Sequence, residues 1–130
     1  MKVFKLTALL VLGFVFVACG KAALSEETML EVSKLNEVEQ PWTPEQTNEA
    51  KNVLVKCYEE MTPMLVNIAR KCDDPEEYIS KTKDIEKETA DVQKLYEKFM
   101  KSGYIQLQYD DVMNAKNKML SQIERALAKN

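Results

Sequence analysis

The sequence predicts a small all-α protein, an antiparallel three-helix bundle preceded by a signal peptide and a tether. Three observations predict it. Apolar residues recur at steps of three and four over long stretches, helix-start signals stand at Thr43-Pro44 and Asp74-Pro75, and no array of alternating strand segments appears. With 130 residues, 45% apolar and 30% charged, the chain is sized for one domain.

Residues 1–18 place Lys2 and Lys5 before an apolar run over residues 6–18 that only Thr7 and Gly13 interrupt. A positive segment followed by an apolar one is a signal-peptide profile. The run falls short of the roughly 20 residues that span a bilayer, so an uncleaved anchor is the weaker reading. Residues 19–41 form the tether. Ser25-Glu26-Glu27 followed by Met29, Leu30, Val32, Leu35 and Val38 could make a short helix there, although these positions fit neither a 3.6 nor a 2.0 period. Gln40-Pro41 resists helix, and the bundle is expected from residue 42.

The first bundle helix is expected over 44–71. Thr43 is its N-cap, Pro44 its first residue and Gln46 the partner in a capping box. Ala50, Leu54, Cys57, Met61, Met64 and Ile68 form its apolar stripe, with Val53, Tyr58 and Leu65 widening it. That phase runs straight through Pro63, which points to a kinked continuous helix rather than two helices. Asp74-Pro75 repeats the start signal for a helix over 75–101. Its apolar face is Tyr78, Ile85, Val92, Tyr96 and Phe99, Thr82 and Thr89 fill the seam, and Gly103 is expected in a left-handed cap. The segment YIQLQY, residues 104–109, reads as an extended connection or a first helical turn. A third helix over 110–128 follows, with Asp110 and Asp111 at its N-terminus and Val112, Met113, Met119, Leu120, Ile123, Ala126 and Leu127 on its apolar face.

Composition excludes several function classes. The chain has no histidine, which removes the usual general base and the commonest metal ligand. Its 18 basic against 21 acidic residues leave no excess to neutralise phosphates, so no nucleic-acid partner is expected. Paired carboxylates such as Glu59-Glu60 and Asp110-Asp111 read as solvated faces. No catalytic residue, cofactor or metal is expected, and the chain reads as a non-enzyme.

Cys57, Met61 and Met64 share one helix face and have the softness that suits Cu(I), yet the same stripe must be core, and packing explains them. Asp73, Asp74, Glu76 and Glu77 could offer oxygens to Ca²⁺, but they lack the spaced loop of an EF-hand, and capping uses two of them. On one helix, Cys57 and Cys72 stand roughly 22 Å apart, whereas a disulfide needs Cα atoms within about 7 Å. Buried free thiols, an intermolecular bridge, or a bond across a broken helix are the three readings.

Phe16-Val17-Ala18-Cys19-Gly20 closes the apolar run with a small residue and a cysteine. This resembles the lipobox of bacterial lipoproteins. The form with Phe16 at the position that usually holds Leu, ending Ala-Cys-Gly, looks like the looser lipoboxes of Bacteroidetes. The resemblance covers about the first twenty residues. It implies that the thiol of Cys19 is diacylated, that the signal is cut before it, and that Cys19 becomes the first residue of a membrane-anchored chain. The alternative is an ordinary secretory signal beside a chance cysteine. No acidic cluster follows Cys19 directly, which in that group leans toward the periplasmic face of the outer membrane.

Removing residues 1–18 takes away Lys2 and Lys5 and no acid, leaving 16 basic and 21 acidic side chains and a charge of −5. Such a domain is expected to stand off anionic headgroups. Trp42 and Tyr104, at helix boundaries, either plug the bundle ends or contact a partner. The resulting expectation is a lipid-anchored accessory subunit with a protein partner in the envelope. The alternative is a periplasmic carrier of a small apolar ligand, lined by methionines and tyrosines, or an inhibitor of an envelope enzyme.

Overall fold

The computed structural model describes residues 23–128. The signal segment and Cys19 lie outside the described residues. Within them the protein is all-helical, with five α-helices and no strand: α1 Glu26–Glu37, α2 Pro44–Arg70, α3 Pro75–Lys81, α4 Glu86–Met100 and α5 Tyr109–Ala128. Short 3-10 turns occupy Thr82–Ile85 and Ile105–Leu107.

Helix α2 is the spine, against which α1, α4 and α5 all pack. Its start is the expected capping box, in which Thr43 accepts from the Gln46 N–H at 3.1 Å and the Gln46 side chain accepts from the Thr43 N–H at 2.9 Å. The helix runs unbroken through Pro63. That residue lies on the exposed side, where water can satisfy the carbonyl of Glu59 that proline leaves without a donor. Beyond Met61 the buried line passes through Leu65 and Ala69, and Met64 and Ile68 are only partly buried. A strict three-and-four alternation has a period of 3.5, so a helix of 3.6 residues per turn drifts off it by about 20° per heptad.

Partners along α2 set the direction of each neighbour. Lys51 pairs with Asp111 at 3.5 Å near the starts of α2 and α5, and Arg70 and Arg125 line one cleft near their ends, so these two helices run the same way. The hydroxyls of Thr47 and Ser102 are 2.6 Å apart, which places the end of α4 beside the start of α2. Glu60 accepts from the Ser25 N–H at 3.0 Å and Lys56 pairs with Glu31 at 3.0 Å, so α1 also runs antiparallel to α2. Phe99, Leu54, Leu95 and Val112 are fully buried at the centre. Tyr96 links α4 to α5 by donating to Met113 Sδ at 3.5 Å and by stacking under the Lys116 ammonium, 4.0 Å from the ring centre.

Three expectations are corrected. The first is the start of the fold at 42, together with residues 23–41 of the tether expected over 19–41, of which residues 19–22 lie outside the described residues. Leu24, Thr28, Val32, Leu35 and Trp42 are all buried, so α1 is a packed member of the bundle and not an arm outside it. Counting Thr28 restores a helical period through 24, 28, 32, 35 and 38, and the polar side chain of Thr28 hides it from an apolar pattern.

The second is the helix over 75–101, which is interrupted by the turn Thr82–Ile85. Thr82 Oγ1 donates to the Ile79 carbonyl at 3.0 Å, and Thr89 Oγ1 donates to that of Glu86 at 2.9 Å. Hydroxyls that bond back three residues compete with the helical ladder, and α3 buries no residue that would hold it in line with α4. The third is the left-handed cap at Gly103, whose φ lies outside that region. Helix α4 ends by tightening instead, as the Lys101 and Ser102 N–H groups donate to the Lys98 and Phe99 carbonyls at 3.2 and 3.0 Å.

If α1 belongs to the core, Leu35→Ala should cost about 2–5 kcal/mol in urea unfolding followed by far-UV circular dichroism, within one cooperative transition. An unchanged midpoint would return α1 to the tether.

Candidate functional site

Two regions carry polar or apolar groups that the fold alone does not use up: the point where the chain enters the bundle, and the connection between α4 and α5. At the first, the buried side of α4 reads Ile85, Glu88, Val92, Leu95 and Phe99, with a carboxylate in an apolar line. Glu88 Oε1 accepts from the Ala23 N–H at 2.9 Å and from the Leu24 N–H at 2.8 Å. Glu60 Oε1 takes the Ser25 N–H, and its Oε2 takes the Thr28 hydroxyl at 2.7 Å. Ser25 caps α1 by accepting from the Thr28 N–H at 3.2 Å. The two carboxylates satisfy donors on the approach to α1 and their charge complements its positive end, while Ser25 satisfies an N–H of the first turn. Sequence reasoning passed over Glu88. Its signal was an acid standing at steps of three and four from Ile85 and Val92.

The chain is therefore fixed at residues 23–25, four residues after Cys19. Four residues reach at most about 14 Å. Residues 23–41, expected as part of a tether, are thus packed on the bundle.

At the second region, the connection is held from inside by Ser102 and by partly buried Ile105, and the Tyr104 N–H donates to Ser102 Oγ at 3.2 Å. In a 3-10 turn, side chains three apart eclipse, so Tyr104 and Leu107 fall on one side and Ile105 and Gln108 on the other. The exposures follow that pairing. Leu107 is 89% exposed and Tyr104 52%, whereas Ile105 and Gln108 are half-buried. Tyr109, also exposed, extends the apolar surface, and Asp110 and Asp111 border it. Tyr104 is thus on the surface. Trp42 is not. It is 3% exposed, with Nε1 donating to the Val38 carbonyl at 3.2 Å, because it closes the apolar line of α1 against α2. Leu107 was missed, since its place depends on a turn of period three that six residues of alternation conceal.

The remaining candidates fall in the core. Cys57 and Met61 are buried and Met64 partly so, on the packed face of α2. Met119 is buried, and Met29 and Met100 pack partly buried against the same core. Burial, followed by the charges of Glu60 and Glu31, pushes the Cys57 thiol up to about 12. Burial also raises Cys72, whose Sγ donates to the Ile68 carbonyl at 3.2 Å. Neither is in a disulfide. Asp74 caps α3 by accepting from the Glu77 N–H at 2.8 Å, and Glu77 accepts from the Asp73 N–H at 2.7 Å. Among the described residues no group of three Cys, Asp or Glu side chains is placed to hold a metal ion, and no helix is long and apolar enough to cross a membrane. Clefts line the seam between α2 and α5. One of about 350 Å³ is open to water and mixes the polar side chains of Lys51, Asn52, Asp111 and Lys118 with apolar Val55 and Ala115.

Native Cys57 and Cys72 should resist a thiol reagent such as dithionitrobenzoate and react together on denaturation, with a stopped-flow rate set by opening of the fold; rapid labelling of either in the folded protein would contradict its burial. A second expectation concerns acid. Burial raises the Glu60 carboxyl, but hydrogen bonds from Ser25 and Thr28 and the charge of Lys56 outweigh it and leave the group below the usual glutamate value. Stability from a lowered carboxyl is present above the unfolded value, about 4.3, and is lost as pH falls through the folded one. Glu60→Gln should thus flatten the loss of Tm below about pH 4.3, and an identical acid limb in the two proteins would remove Glu60 from that role.

No protein-family model, curated protein or solved structure matches the chain.

Proposed function

We propose that the protein is a bacterial lipoprotein, cleaved after residue 18 and anchored through acylated Cys19 to the periplasmic face of the outer membrane. There it acts as a non-enzymatic accessory subunit that binds a protein of an envelope complex. The observation that carries the binding role is the exposed Tyr104, Leu107 and Tyr109 surface at the end of the bundle away from the Cys19 link. Large aromatic and aliphatic side chains that a fold leaves in water at one loop are the type that anchors protein interfaces. They stand by the start of α2, whereas Ser25 meets α2 at Glu60, 17 residues beyond Thr43, or about 25 Å along the helix. The short link supports a domain held close to its bilayer, in place of one standing off it. The carrier reading has less support, because most of the methionines pack against the core and the seam clefts lie open to solvent.

Intact mass and lipid labelling of the membrane-fractionated protein, wild type beside Cys19→Ala, test the anchor. Acyl mass on a chain beginning at Cys19, lost in the variant, is expected; an unacylated chain in the soluble extract would overturn it. For the binding role, a photo-crosslinking amino acid at position 107 should give one envelope-protein adduct in cells. Tyr104→Asp should reduce that adduct at least about tenfold, as loss of a hot-spot residue does. An adduct unaffected by Tyr104→Asp would place the docking surface elsewhere.

A further inference from the structure

The chain has only two arginines, Arg70 and Arg125, and both line one cleft of about 210 Å³ at the far end of the seam between α2 and α5. Gln122 shares that cleft, and Val66 and Ala126 form its apolar wall. No ion pair joins either guanidinium to an acid among the described residues. A cation in the last turn of a helix is ordinary, because it complements the negative end of the helix. Lysine serves that purpose in α1, α3 and α4, whose last turns hold Lys34, Lys81 and Lys98. The two helices that border the cleft hold arginine instead. What arginine adds is a planar fork of donors that matches the oxygens of a phosphate, and two forks beside an amide make a donor set for one phosphate ester.

The direction of α1 says which phosphate comes within reach. Ala23 and Ser25 are fastened at Glu88 and Glu60, and Arg70 lies ten residues past Glu60, about 15 Å along α2. Cys19 lies within about 14 Å of Ala23. The arginine end of the bundle can therefore meet the bilayer that holds the anchor, and the Tyr104 end, some 10 Å further off in the opposite direction, stays clear of it when the arginine end is down.

We infer that the Arg70–Arg125–Gln122 cleft binds the phosphate of a membrane-lipid headgroup and so fixes the anchored domain with its arginine end on the bilayer. The inference rests on the lipoprotein reading for its source of phosphate. Asp73, Asp74 and Glu76 stand exposed just beyond Arg70 and Lys71, and Glu124 precedes Arg125, so simple attraction of a basic patch to an anionic surface is opposed. Recognition here depends on the forks. The lysine variants, which keep the charge, are the discriminating ones.

With two arginines the Nε–Hε region of a ¹⁵N spectrum holds two side-chain signals, assignable by Arg70→Lys and Arg125→Lys. The protein as cells process it, held in phosphate-free maltoside detergent, is titrated with dihexanoyl phosphatidylglycerol and separately with inorganic phosphate. Both signals should shift saturably with the lipid. Each lysine variant should weaken binding at least about tenfold, and Lys94→Gln should leave it unchanged. No saturable shift, or full affinity in the lysine variants, would overturn the inference. Inorganic phosphate binding as tightly as the lipid would make the cleft a free-phosphate site and overturn the lipid assignment. The intact mass of the same sample reports acylation of Cys19, so a failed anchor and a failed phosphate site are told apart.

Discussion

A chain that enters a protein interior must find acceptors for its backbone N–H groups, and on the approach to α1 that requirement is met by two acids from other helices. Glu88 of α4 takes Ala23 and Leu24, and Glu60 of α2 takes Ser25 and the Thr28 hydroxyl. Glu88 is itself 8% exposed, so the contact is one a solvated loop would not provide. A buried carboxylate left without donors is costly, as are buried donors left without it, so each side of the contact makes the other necessary. The position of α1 follows from this. It lies along α2 and α4 with its N-terminus directed toward the arginine end, and that direction distinguishes one end of the bundle from the other.

Packing around α2 then does the rest. Its buried face meets α5 along most of its length and meets α4 and α1 on the remaining side, so one 27-residue helix supplies a wall to each of three neighbours. Such a hub tolerates an internal proline where the helix faces water. It does not tolerate polar gaps inward, which is why Thr47 and Ser102 answer each other at 2.6 Å in the interior. Lys98 donating to the Asn36 carbonyl, and Asn36 Nδ2 donating to the Asp91 carbonyl at 3.0 Å, fasten the other end of α1 to α4. Thus α1 is held at both ends by polar contacts and along its middle by Val32 and Leu35.

Local chemistry was legible wherever it was written in adjacent residues. Thr43-Pro44-Gln46 and Asp74-Pro75 start helices as read, and a start near Asp110 appears one residue early at Tyr109. What escaped was chemistry supplied from a distance. Thr28 and Glu88 occupy buried lines because Glu60, and the backbone of residues 23 and 24, reach them across more than thirty positions of sequence. A pattern that counts only apolar residues discards both. Thr82 misled in the opposite sense, filling an apparent seam while its hydroxyl favoured a turn. At the surface, Tyr104 and Trp42 had equal standing as boundary aromatics. Only the packing of α1, which itself rests on Thr28, separates the buried one from the exposed one.

On the proposed reading, the short link also settles how strong an orienting contact needs to be. Acyl chains hold the protein on the membrane, each buried CH₂ contributing about 0.8 kcal/mol, and two or more chains make that attachment stable. Residence is then independent of the protein surface. A cleft on a domain whose link to the anchor spans at most about 14 Å meets headgroups at an effective concentration in the millimolar range, as short linkers produce for any second contact. A weak phosphate site suffices under those conditions, and a strong one would add little. Two guanidinium forks in an open cleft flanked by acids fit that need, whereas a broad basic patch would conflict with the charge of −5 that remains once residues 1–18 are removed. Orientation, rather than attachment, is the property such a cleft can add, and it is what would direct Tyr104 and Leu107 away from the lipid toward a protein partner.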